Sequence, residues 1–95
     1  MRLKSYEVDV ILNSFHTVFK EGKIFLFGSR VDDSKRGGDI DLFIEIDDKS
    51  NLFEKKIKFL AKMKRFLGEQ KIDLVFNIDP TRLIEKEARK WAIQL

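Results

Sequence analysis

The chain has no cysteine, one histidine, one proline and one tryptophan among its 95 residues. Without cysteine there are no disulfides, no thiolate zinc sites and no cysteine nucleophile. With one histidine, a Ser-His-Asp triad or a histidine metal site would have to use His16. Nine phenylalanines spread along a chain nearly free of proline argue against disorder. No apolar run approaches the ~20 residues of a membrane-spanning helix. Met1-Arg2-Leu3-Lys4 does not lead into a signal-peptide core, so a cytoplasmic protein is expected. Charge is also short of one-sidedness: 19 Lys and Arg against 16 Asp and Glu leave +3. That balance permits contact with phosphate without demanding a nucleic-acid groove.

What is present suffices for one small domain over residues 1–95, with 43% hydrophobic residues and a thin core. Val8, Ile11, Leu12, Phe15, Val18 and Phe19 recur at three- and four-residue intervals and predict a helix over 5–20, with Ser5 as N-cap and Gly22 as stop. KIFLF at 23–27 predicts a strand, broken by Gly28-Ser29. Residues 30–38 read as a loop with room for one helical turn, 39–46 as a strand and 47–50 as a turn. A capping box from Asn51 to Glu54 opens a helix to about Leu67, its apolar face made of Phe53, Ile57, Leu60, Met63 and Leu67. Residues 71–78 predict a third strand. Asp79-Pro80 opens a last helix whose stripe is Ile84, Ala88, Trp91 and Leu95. The expected fold is α/β (α+β): a three-stranded mixed sheet with helices packed on one face.

Alternation along the strands decides which side chains converge. Ile40, Leu42, Ile44 and Ile46 share one face of the second strand, leaving Asp39, Asp41, Phe43 and Glu45 on the other. In the third strand Asp73 likewise opposes Ile72, Leu74 and Phe76. A helix between these strands favours a parallel crossover, which brings both strand starts to one edge. An antiparallel first strand ends at that edge too, delivering Gly28 and Ser29. Crowded carboxylates need a counter-charge. Mg²⁺ commonly supplies one while sharing oxygens with a phosphate. A glycine turn lets backbone approach phosphate closely, and Ser29 adds a hydroxyl. Taken alone, Gly-Ser is a turn and Asp-x-Asp a solvated strand edge; their joint placement points to phosphoryl or nucleotidyl transfer.

Phe27-Gly28-Ser29-Arg30, Gly38-Asp39-Ile40-Asp41-Leu42 and Asp73-Leu74-Val75 together resemble the nucleotidyltransferase superfamily of DNA polymerase β. The likeness is strongest to its minimal nucleotidyltransferase (MNT) branch, antitoxins found beside HEPN-domain toxins. The resemblance implies that Gly28 and Ser29 hold nucleotide phosphates and that Asp39 and Asp41 bind the metals, two Mg²⁺ by the family pattern. It further implies that Asp73 completes the site and helps activate the attacking hydroxyl. ATP would be the substrate and a tyrosine of a HEPN-domain partner the acceptor. Two alternatives stay open: the catalytic subunit of a two-chain transferase for a small acceptor, and a nonenzymatic nucleotide-binding or toxin-masking module. Arg30 is either a phosphate contact or a surface loop residue. His16 reads as a helix-surface residue, Glu45 and the lysines of the 51–67 helix as solvated, and Trp91 as core. Phe19, Phe43, Phe53, Phe59 and Phe66 are candidates for a partner surface.

Overall fold

The computed structural model describes residues 1–32 and 38–95; the remainder of the expected 30–38 loop lies outside the described residues. Helix α1 (Ser5–Phe19) leads to β1 (Lys23–Phe27), a 3₁₀ turn (Gly28–Val31), β2 (Ile40–Glu45), α2 (Leu52–Leu67), β3 (Ile72–Phe76), α3 (Leu83–Lys90) and β4 (Ile93–Gln94). The strands lie in the order β3-β2-β1-β4. As expected, β1 runs antiparallel to β2 and β3 parallel to it. Among the described residues no helix is long and apolar enough to cross a membrane.

The sheet is covered on both faces, not one. Ile11, Phe15 and Phe19 of α1 and Phe59 and Met63 of α2 pack over Ile24, Leu26, Ile40, Leu42, Ile44 and Phe76. On the opposite face, Phe27 and Phe43 meet Ala88 of α3, with Phe25, Val75 and Ala92 around them. Phe43 is 1% exposed, so a wholly uncovered acidic face is corrected: α3 covers its middle and leaves the strand starts open. The physical reason is the apolar content of that face, which Phe25, Phe27 and Phe43 make too large to leave in water.

The fourth strand is the second departure. The last helix stops at Lys90, and the chain turns back to pair Ile93 with Leu26 and Gln94 with Phe25. The Leu95 N–H also donates to Ile24 O at 3.0 Å. A helix continued to Leu95 would have left the outer edge of β1 without backbone partners. Trp91 consequently leaves the core and is 68% exposed.

Helix starts differ in detail. Lys4, not Ser5, precedes α1, and its N–H donates to the Glu7 carboxylate at 2.9 Å. Asn51 takes a left-handed conformation (φ 52°), and its side chain makes no cap bond. The Asp79 carboxylate instead accepts from the Thr81 N–H and hydroxyl, and α3 begins only at Leu83. Apolar residues wrap so far around α2 that several stripes compete. Leu52, Phe59, Met63 and Leu67 take the inward side, leaving Phe53 and Ile57 exposed.

Candidate functional site

Register fixes the acids. Phe27 pairs with Asp41, and Asp41 pairs with Asp73, so the end of β1 and two aspartates lie in one row across three strands. Burial pushes the Asp41 carboxyl above its ordinary pKa; the neighbouring charges of Asp73 and Asp39 and a hydrogen bond to Asp73 push the same way, and Lys71 opposes them. The charges of Asp39 and Asp73 thus converge on Asp41. Asp39 takes part through its charge while its own carboxylate pairs with Lys71, Nζ to Oδ2 3.5 Å.

The turn after β1 closes against these acids. Gly28 has φ +77°, a conformation costly for any residue bearing Cβ. An added Cβ there would collide with Asp41 Oδ2. Gly38, at φ +92°, is equally constrained, and a Cβ on it would strike the Ser29 hydroxyl. Glycine at both positions lets the 28–29 backbone lie directly beside β2. Gly28 and Ser29 also line an open cleft of about 590 Å³, together with Phe27, Val31, Asp32, Glu87 and Trp91. Gly28 thus borders both the cleft and the acids.

Arg30 stands behind the turn. Its guanidinium donates to Arg2 O at 2.9 Å, with longer bonds to Gly38 O and Gln70 Oε1 at 3.4 Å each. Arg2 reciprocates, donating through its side chain to Ser29 O at 2.9 Å and through its N–H to Arg30 O at 2.7 Å. Gln70 passes the connection on to the buried Glu7 carboxylate at 3.1 Å. Arg2, Glu7 and Gln70 support the turn, and the sequence reading missed them because polar partners so distant in the chain leave no periodic signal. Glu45, expected in solvent, is half-buried and pairs with Arg89 at 3.4 Å. His16 is exposed on α1, edge-on to Phe15.

Among the described residues no three His, Asp or Glu side chains are arranged as a ready metal cage. The donor chemistry nonetheless suits a hard dication: oxygen ligands, a carboxyl whose ionisation is opposed by its neighbours, and a Lys71 ammonium that a metal ion would replace at Asp39.

No curated protein matches the chain. The family model described as "Polymerase beta, Nucleotidyltransferase" matches residues 8–94, from α1 through β4, and the chain belongs to that family.

Proposed function

We propose that the chain is a Mg²⁺-dependent nucleotidyltransferase that moves AMP from ATP to a hydroxyl acceptor, a tyrosine of a HEPN-domain partner in a toxin–antitoxin pair. The observation that carries the reading is the row of Asp41 and Asp73, register partners on adjacent parallel strands, abutted by the Gly28 turn. Nucleotidyl transfer follows from the family; ATP, Mg²⁺ and the acceptor are the finer proposal and draw on the motif's likeness to the minimal branch.

Asp39, Asp41 and Asp73 would hold the metal. When bound, Mg²⁺ offsets the charge of the triphosphate and lowers the pKa of the acceptor hydroxyl. Gly28 and Ser29 would take the phosphates in the cleft, with Arg30 keeping the turn in place from behind. Asp73, an exposed carboxylate at the rim, would orient the hydroxyl and accept its proton. The hydroxyl oxygen then bonds to the α-phosphorus, the bond from that phosphorus to the bridging oxygen breaks, and pyrophosphate departs with the electron pair.

Incubation with α-labelled ATP, Mg²⁺ and the helical partner tests this. Wild type should label the partner, and Asp41→Asn should lower the rate at least about a hundredfold. Folded protein that binds the partner but never transfers label would overturn the proposal.

A further inference from the structure

The cleft has a second wall. Gly28 and Ser29 form one side; Glu87 and Trp91, from the last turn of α3 and the residue after it, form the other. Trp91 is the chain's one tryptophan and is 68% exposed. Leaving so large an aromatic in water forgoes much of the burial energy it offers a thin core. Its backbone, however, is firmly held. Ala88, one turn earlier, has no exposed surface. Ala92 packs on the Phe27–Phe43 cluster, and Ile93 pairs with Leu26. Anchors on both sides in sequence therefore hold an open indole at the rim of the cleft. The Lys90 ammonium lies 5.8 Å from the ring centroid, a weak cation–π contact on a long and displaceable side chain.

The geometry points to Trp91 as the platform on which the nucleobase stacks while the triphosphate lies along Gly28 and Ser29. This inference rests on the nucleotide site proposed above and adds to it the residue that holds the base. An indole presents an apolar face to any base, so Trp91 supplies affinity and orientation rather than base choice. Chain order explains the arrangement. The early turn to β4 that takes Trp91 out of the core is the same feature that sets it opposite the phosphate turn.

The single tryptophan is its own probe. Binding of ATP and of inorganic triphosphate, each with Mg²⁺, is measured by calorimetry on wild type, Trp91→Phe and Trp91→Ala, with indole fluorescence followed on wild type. ATP should quench the fluorescence, Trp91→Ala should bind ATP about tenfold more weakly, and Trp91→Phe should restore most of the loss. Triphosphate, which has no base, should bind all three alike and leave the indole unquenched. Because the ring is exposed, these variants should keep the wild-type circular dichroism. Equal ATP affinity in wild type and Trp91→Ala, without quenching, would overturn the platform and leave the nucleotide site standing. Failure of wild type to bind either ligand would overturn both.

Discussion

Asp41 is where the fold and the chemistry pull in opposite directions. Its pairing with Phe27 and Asp73 brings it under the Gly28 turn, and there burial and two like charges oppose its ionisation. The folded state therefore holds this proton more tightly than the unfolded chain does. Such a group adds stability that is fully present below the unfolded aspartate pKa and is lost as pH rises through the raised folded value. Above that value the metal-free protein bears the penalty of the ionised carboxylate. Asp41→Asn keeps a hydrogen-bonding side chain and removes the charge. In urea unfolding at neutral pH it should be more stable than wild type by a few tenths to about 1 kcal/mol, a range reduced for solvent screening. The difference should close on acidification below the aspartate range. A variant less stable than wild type at neutral pH would mean that the carboxylate is welcome there.

Elements were legible where local pattern and global need agree. The alternation of Asp39 to Ile46 correctly gave the face of Asp41, and the crossover rule correctly gave the parallel pairing that sets Asp73 beside it. The C-terminal segment was not legible. Ile84, Ala88, Trp91 and Leu95 fit a helical stripe, while the backbone demand of β1 for an outer partner is written twice over 60 residues away, in Phe25 and Leu26. The shortness of α3 makes its N-terminal anchor important. Glu85 has no exposed surface; its carboxylate accepts from the Asp79 N–H at 2.5 Å and from Arg82 Nε at 2.8 Å. Arg82 in turn donates to Phe76 O, fastening the helix to the end of β3. Glu85→Ala leaves these donors without their acceptor and should cost about 2 kcal/mol in denaturant unfolding. Loss of less than a few tenths would show that α3 is held by Ala88 alone.

At the scale of the molecule, 95 residues form two unequal apolar layers, the larger under α1 and α2 and the smaller under α3. The acids and the turn occupy the rim where the smaller layer ends, so little packing energy opposes their repulsion. The proposed ligand would supply the missing attraction, because it binds the arrangement that only the folded chain possesses. At a free Mg²⁺–ATP concentration a hundred times its dissociation constant, linkage gives about 2.7 kcal/mol of stabilisation. For a domain this small that corresponds to a rise in Tm of about 10–20 °C. Calorimetric melts should show that rise with Mg²⁺ and ATP together, a much smaller one with either alone, and little in Asp41→Asn, even though that variant starts out more stable. An equal rise in wild type and Asp41→Asn would place the nucleotide away from the carboxylate row, and no rise at all would remove the ligand from the account of this rim.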